Sequence, residues 1–203
     1  EEDGDNIILR VSIADVSHYL LKHPRLIEEA IMRGNSAYLA DTVIPMLPHQ
    51  LSNGICSLNP AVDRLAKTVE MVFYEDGNLI SSDIYKSVIR SKKQMNYDDV
   101  NTLLEDGIIP EGYKDFADDL TLMNKLSTII SKKRNQKGSL NLSDCELKIH
   151  TMPDGTPTDV ERMYQGKGEK LIENFMIMAN IAVTEYYGYL GQPFVYRVHE
   201  DPD

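Results

Sequence analysis

The segment over residues 33–60, RGNSAYLADTVIPMLPHQLSNGICSLNP, restricts what this chain can fold into more than any other. It holds three prolines, two glycines and three asparagines, so it forms neither one helix nor one strand. It is also too apolar for a solvated linker, because many of its side chains favour burial: Tyr38, Leu39, Val43, Ile44, Met46, Leu47, Leu51, Ile55 and Leu58. We therefore predict a structured loop, which is either a folded-back structural element or a functional segment on a rigid scaffold.

Several motifs in a fixed order surround this loop. RVSIADVSHYL precedes it, DRLAKTVEM follows it, and GSLNLSDCELK, GEKLIENFMIMAN and PFVYRVHEDPD come later in the chain. Together they resemble the catalytic (RNB) domain of the RNase II/RNase R family, and the RNase R branch is the closer one. The resemblance covers essentially the whole chain. It implies a processive 3'→5' exoribonuclease that uses Mg²⁺ to hydrolyse single-stranded RNA to nucleoside 5'-monophosphates.

The hydrophobic periodicity predicts the elements of such a domain. Period-two alternation or a β-rich composition indicates strands over 6–14, 66–74, 79–90, 140–152, 159–164 and 194–199, with a hairpin turn at 75–78. Helical spacing indicates helices from Pro24 to about Gly34, over 97–104, over 114–134 and from Gly168 to Gly188. The resemblance implies the architecture: an α+β fold with a mixed β-sheet and two long helices packed on it. We expect residues 1–203 to be a single domain, a partial RNB catalytic domain truncated at both ends.

The charge of the chain limits its partners. Twenty-one Lys and Arg against 32 Asp and Glu give a net charge of −11, which opposes the approach of phosphate groups. We therefore expect the chain alone to bind RNA weakly. Its one basic cluster, Lys132, Lys133, Arg134 and Lys137, is either a solvated helix end or a contact for an RNA backbone. Two widely spaced cysteines and no signal or membrane-spanning sequence predict a cytoplasmic protein, and we expect a monomer.

Two tyrosines are candidate RNA-binding residues. The resemblance places Tyr38 where a tyrosine stacks on the 3'-terminal nucleotide beside the scissile phosphate. An aromatic ring can hold any base in this way without reading its identity. Tyr85 lies near the position of a second aromatic in the family, although a register shifted by one would place Ile84 there. For each tyrosine the alternative is packing in the core, and we favour stacking for Tyr38.

Three further residues are candidates on weaker grounds. Arg197 and His199 are polar residues at the end of the last predicted strand, where they can meet phosphate or ribose or can pair with neighbouring carboxylates. Asp15 ends the first long strand, a common position for a metal-binding carboxylate. Its alternative role is to cap the following turn, which is the role we favour.

The metal-binding aspartates of the family form a cluster of the type D-x5-D-x-D-D, which the resemblance places upstream of Glu1. Asp3 and Asp5 do not have this spacing. We therefore expect no catalytic residue and no tightly bound metal in the 203 residues, and we expect the chain alone to be inactive. The competing hypothesis is a non-catalytic RNA-binding or regulatory interaction module that retains the fold.

Overall fold

Eight strands and five helices make up the described part of the chain, residues 1–4, 6–40, 42–139 and 145–198 of a computed structural model. In chain order they are β1 (Glu2–Asp3), β2 (Asn6–Ala14), α1 (Val16–Leu20), α2 (Pro24–Arg33), β3 (Ala37–Tyr38), β4 (Val43–Ile44), β5 (Asp63–Tyr74), β6 (Leu79–Arg90), α3 (Tyr97–Asp106), α4 (Ala117–Gln136), β7 (Cys145–Thr151), β8 (Pro157–Tyr164) and α5 (Lys167–Tyr189). A π-helical turn, Gln50–Ile55, lies between β4 and β5, and a 3₁₀ turn, Lys114–Phe116, precedes α4.

The central sheet has four strands in the order β1-β2-β5-β6. Each neighbouring pair is antiparallel: β1–β2 and β5–β6 are hairpins, and β2 pairs with β5 across the longer connection that holds α1, α2, β3 and β4. The α+β fold class is confirmed. The expected mixture of strand directions is not present in the described sheets, where the one parallel pairing is an isolated bridge between Pro60 and Ser91.

Helices α4 and α5 cover one face of this sheet. Strand alternation places apolar side chains of β2 and β5 on that face, and the apolar sides of both helices pack against them. The resulting core contains Ile7, Leu9, Val69, Met71, Phe73, Leu126, Ile130, Leu171, Phe175, Ala179 and Ala182. The predicted β5–β6 hairpin and the two predicted long helices are therefore confirmed.

Two smaller hairpins lie outside this core. Strands β3 and β4 pair only with each other in the described sheets, and so do β7 and β8. In the loop over 33–60, Leu47 is buried, and Met46, Leu51 and Leu58 are partly buried. The burial expected for this loop is wrong for the β3–β4 hairpin, where Leu39, Val43 and Ile44 are exposed. The reason is that no sheet or helix of the described chain forms a layer over β3 and β4.

The strand predicted over 194–199 is wrong for the part that the structure describes. Residues 194–198 have no ladder partner among the described strands, because Phe194 turns back to stack on Tyr187 of α5. His199 lies outside the described residues. None of the helices in the described part of the chain combines the length and the hydropathy that a membrane-spanning helix needs.

Candidate nucleic-acid interface

Tyr38 lies on a short hairpin that is held at both ends. Tyr38 pairs with Val43 across β3 and β4, and the Leu39 amide donates to the Thr42 carbonyl at 2.8 Å. At the base of the hairpin the Met46 amide donates to Ser36 Oγ at 2.9 Å. The backbone that carries the Tyr38 ring is therefore fixed by hydrogen bonds on both sides of it.

The Tyr38 side chain itself is 78% exposed. A tyrosine that packs in a core is mostly buried, so the ring does not fill a core position in this structure. Arg33 reaches the same hairpin, since its Nη1 donates to the Pro45 carbonyl at 3.1 Å. The arrangement presents an aromatic face to solvent on a braced support, which is the geometry that base stacking requires.

Tyr85 occupies the opposite side of the sheet from the core helices. It pairs with Thr68 on β5, and its hydroxyl donates to Glu70 Oε2 at 3.2 Å. The same carboxylate accepts from Arg10 Nε at 2.6 Å. The neighbouring residue Ile84 points the other way and packs against the core. Tyr85 is 37% exposed, and a fixed hydrogen bond holds its hydroxyl against the sheet.

Asp15 is a buried carboxylate with two kinds of partner. It is 4% exposed, and Ser17 Oγ donates to its Oδ1 at 2.7 Å. Lys67 Nζ lies 3.8 Å from the same oxygen. The Ser17 hydrogen bond is the largest cause that holds the pKa of Asp15 below its usual value, and Lys67 and Lys86 lower the pKa further. These contacts make Asp15 a fixed structural anion at the start of α1.

Arg197 is exposed and lines a groove between the sheet and α5. Ile84 also lines this groove, so Arg197 lies on the helix side of the sheet and Tyr85 on the opposite side. The structure thus separates the predicted site residues into three places: the Tyr38 hairpin, the Tyr85 face and the Arg197 groove. His199 was also predicted, but it lies outside the described residues.

The basic cluster at the end of α4 is partly engaged within the fold. Lys133 Nζ lies 3.4 Å from Asp76 Oδ1, and Arg134 Nη1 donates to the Asn174 side-chain oxygen at 2.9 Å. Asn174 is buried and in turn donates to Ser127 and Ser131. Two of the four cations therefore stabilise contacts between elements of this chain.

A second set of cations, on β5 and β6, was not predicted. Lys67 and Lys86 lie directly opposite each other, so their side chains leave the same face of the sheet. The signal was present in the sequence. A hairpin turn at 75–78 fixes which residues of the two strands are opposite, and counting outward from that turn brings the two lysines together.

The whole chain, residues 1–203, matches the RNB domain family. It is 46% identical over 199 residues to ribonuclease R of Thermotoga maritima, a match that covers 98% of this chain and 28% of the relative. Ribonuclease R of Aquifex aeolicus is 40% identical over 196 residues, which cover 96% of this chain and 28% of that relative. The chain therefore spans less than a third of the length of these curated relatives.

A solved structure agrees with these matches. Mycoplasma genitalium RNase R in complex with ribose-methylated single-stranded RNA superimposes with a TM-score of 0.91 at 34% identity, over 96% of this chain and 30% of the other. A family match over the full length, relatives at 46% and 40% identity and a shared fold lead to one conclusion. The chain belongs to the RNB domain family.

Proposed function

We propose that residues 1–203 are part of the catalytic domain of a processive 3'→5' exoribonuclease, which hydrolyses single-stranded RNA to nucleoside 5'-monophosphates. The family match and the identity to ribonucleases R support this proposal. The observation that carries it within this chain is the Tyr38 ring, which is exposed on a hairpin braced by hydrogen bonds. The proposal concerns a longer polypeptide, of which these residues supply the part that holds the RNA end.

In this proposal Tyr38 stacks on the base at the 3' end of the RNA. Stacking contributes about 1–3 kcal/mol per base and tolerates any base, as an enzyme that degrades RNA of any sequence requires. Holding the last nucleotide also orients its phosphodiester for attack by water. The hydroxyl of Tyr38 is not required, because the attraction comes from the ring.

The other predicted residues have smaller roles. Arg197 is exposed in a groove and is available to an RNA phosphate or ribose, and His199 keeps the same proposed role from the sequence alone. Tyr85 is less suited to stacking than Tyr38, because its hydroxyl is bonded to Glu70. We propose a structural role for Asp15, because its carboxylate already accepts from Ser17 and lies beside Lys67.

The residues that the structure describes do not fit a magnesium site. They contain no group of three or more His, Cys, Asp or Glu side chains placed to hold a metal ion. Asp15 already contacts a hydroxyl and an ammonium group and belongs to no such cluster among the described residues. We propose that Mg²⁺ acts in the longer polypeptide through residues other than these.

One consequence concerns the 203-residue chain by itself. We expect no magnesium-dependent release of nucleotides when it is incubated with an end-labelled single-stranded oligoribonucleotide. A ladder of 3'-shortened products that EDTA abolishes would contradict this expectation. We also propose that the protein is a cytoplasmic monomer, and its two free cysteines are typical of a reducing compartment.

The second candidate function is a non-catalytic module that binds RNA or regulates another protein. The net charge of −11 and the absence of a carboxylate cluster from the described residues favour it. One assay distinguishes the two functions. An exoribonuclease releases nucleoside 5'-monophosphates when the longer polypeptide is incubated with RNA and Mg²⁺, whereas a non-catalytic module leaves the RNA intact.

The experiment that tests the proposed role of Tyr38 uses the longer polypeptide and three proteins: wild type, Tyr38→Ala and Tyr38→Phe. We expect Tyr38→Ala to leave a longer final oligonucleotide, because short products held by few bases lose about 1–3 kcal/mol of stacking and dissociate early. Turnover on long RNA should fall less, since upstream contacts remain. Tyr38→Phe should behave as wild type. An unchanged end product in Tyr38→Ala, measured on a sequencing gel, would exclude the stacking role.

A further inference from the structure

The core face of the central sheet is mainly apolar at one end and carries two lysines at the other. Successive cross-strand rows on this face consist of Leu9–Met71–Ser82 and Val11–Val69–Ile84, and the last row is Ile13–Lys67–Lys86. The earlier rows lie mainly under α4 and α5. In the last row Ile13 is exposed and two ammonium groups replace the apolar side chains.

The pairing of Lys67 with Lys86 has a cost in stability. Like charges directly opposite each other on neighbouring strands repel. Asp15 offsets part of this repulsion, since it lies 3.8 Å from Lys67 Nζ. Lys67, Lys86 and the nearby Arg197 outnumber the two carboxylates Asp15 and Glu185, so this end of the sheet keeps a local positive charge in a chain whose net charge is −11.

Lys67 lies at the edge of a groove that runs between the sheet and the second half of α5. The groove has a volume of about 1070 Å³ and is lined by Ile13, Lys67 and Ile84 on the sheet side, and by Ile181 and Glu185 on α5. Its remaining wall is the segment over 194–198, which contributes Arg197. Two cations and one carboxylate therefore face the space directly.

Aromatic rings line the same wall. Phe194 stacks on Tyr187 with ring centres 5.1 Å apart and planes at 6°, and Tyr196 meets Phe194 edge to face at 5.4 Å. Both Phe194 and Tyr196 keep part of their surface exposed. Exposed rings beside a positively charged row form the combination that holds single-stranded nucleic acids: bases stack on the rings while phosphates meet the cations.

We propose that this groove is a second binding site for single-stranded RNA, at which Lys67 in the groove and Lys86 beside it on β6 contact phosphates and Phe194 and Tyr196 contact bases. The site lies on the helix side of the sheet and is distinct from the Tyr38 hairpin. The inference rests on the proposed function, because it takes RNA to be the substrate. The groove favours RNA over an apolar peptide, since the paired lysines attract an anion and the exposed rings offer surfaces on which bases stack.

The test measures how a fluorescein-labelled oligouridylate binds to the 203-residue chain at salt concentrations between about 50 and about 200 mM. For the double variant Lys67→Gln/Lys86→Gln, we expect the slope of log K against log salt to become shallower by about 0.7 for each phosphate that a lysine no longer neutralises. For Tyr196→Leu, we expect affinity to fall by about 5- to 150-fold, the equivalent of one stacked base.

The matched control is Lys125→Gln/Lys148→Gln. It makes the same change in net charge at two exposed lysines that do not line the groove, one on α4 and one on β7. We expect the control to keep the slope of the wild-type chain. Circular dichroism of each variant verifies that the fold is intact. An equal change of slope in both double variants would overturn the proposal, because Lys67 and Lys86 would then act only through net charge.

Other outcomes separate this inference from the proposed function. Loss of binding in Tyr38→Ala, together with unchanged binding in the groove variants, would overturn the groove site and leave the exoribonuclease proposal standing. Failure of the wild-type chain to bind at the lowest salt would also overturn the groove site, whereas nucleotide release by the longer polypeptide would still support the proposed function. A dimer in light scattering that Ile181→Asp dissociates would assign the groove to a second copy of the chain and overturn the RNA proposal.

Discussion

The hairpins β5–β6 and β3–β4 are built from the same backbone pairing but have opposite surroundings. The β5–β6 hairpin pairs over most of its twelve-residue strands, and Met71 and Phe73 are fully buried beneath the helices. The β3–β4 hairpin pairs over two residues on each strand, and Tyr38, Val43 and Ile44 are exposed. The first hairpin thus buries two large apolar side chains completely, whereas the second presents its large apolar side chains to solvent.

The difference indicates that one hairpin stabilises the fold and that the other is available to a ligand. Burying apolar surface contributes about 25 cal/mol per Å², so the β5–β6 hairpin stabilises the fold. An exposed ring contributes almost nothing to stability but keeps its surface for a ligand. Changes in the first hairpin should therefore unfold the protein, whereas changes in the second should alter what it holds.

The largest expected effect is that of Phe73→Ala. Removing a fully buried aromatic ring from the core should lower the free energy of unfolding by about 3–5 kcal/mol. Urea denaturation followed by circular dichroism measures this change. A loss below about 1 kcal/mol would show that the core tolerates the cavity, and would remove the contrast between the two hairpins.

A pair of glycine substitutions sharpens the comparison. Gly77, in the β5–β6 turn, has φ +78°, and a Cβ there would overlap the Ile129 side chain on α4. Gly34, which precedes β3, has φ +72° with open space around it. Both Gly→Ala changes incur the cost of the left-handed backbone, about 1–2 kcal/mol, and the overlap adds about 1–3 kcal/mol at Gly77 alone. Equal thermal midpoints for the two variants would contradict this account.

Asp15 gives a smaller effect that depends on pH. Its pKa is lowered in the folded state, chiefly by Ser17, so its ionised form contributes stability above the pKa of the unfolded chain. That contribution is lost as the pH falls through the folded pKa. We expect Asp15→Asn to lower the free energy of unfolding by about 1 kcal/mol at neutral pH, and the difference from wild type to shrink in acid.

The cause of the Asp15 shift can be tested separately. Ser17→Ala removes the hydrogen bond that lowers the pKa most, so the Asp15 carboxyl should titrate closer to its usual value. An NMR titration of the carboxyl carbon follows this directly. A titration identical to that of wild type would mean that Lys67 and Lys86 dominate the shift.

The smallest expected effect on stability is that of Tyr38→Ala. Because the ring is 78% exposed, its loss should change the free energy of unfolding by no more than about 0.5 kcal/mol. The same urea titration as for Phe73→Ala provides the measurement. A loss of several kcal/mol would mean that the Tyr38 ring packs in the core, and would remove the basis for its proposed contact with RNA.

The elements with strong periodicity could be predicted from the sequence. Strand β2 and the β5–β6 hairpin have the predicted positions, because alternation of apolar residues and the Asp76–Gly77 turn specify them locally. The long helices α4 and α5 follow from their apolar stripes in the same way. Local patterns do not specify how strands order themselves, so the all-antiparallel arrangement of the sheet was not foreseen.

The surroundings of the loop over 33–60 and of Phe194 could not be predicted, because they depend on contacts distant in sequence. Apolar composition suggested burial for Leu39, Val43 and Ile44, but burial needs a covering layer that the described chain does not form there. The segment that begins at Phe194 has the alternation of a strand, yet the Phe194 ring stacks on Tyr187 and residues 194–198 form no strand. The role proposed for Tyr38 came from family resemblance, and the lysine pair became visible only through strand register.

The tight turn after β5 has a consequence for how related sequences can differ in length. Side chains alternate between the two faces of a strand, so one inserted residue in the turn would move Lys86 away from Lys67 and carry Tyr85 to the core side. A two-residue insertion would preserve the faces. The bulge opposite Val72 and Phe73 leaves Ile80 without a partner, which provides one place where a single-residue gap can be absorbed. Related sequences should therefore gain or lose residues in this hairpin two at a time, or lose a single residue together with the bulge.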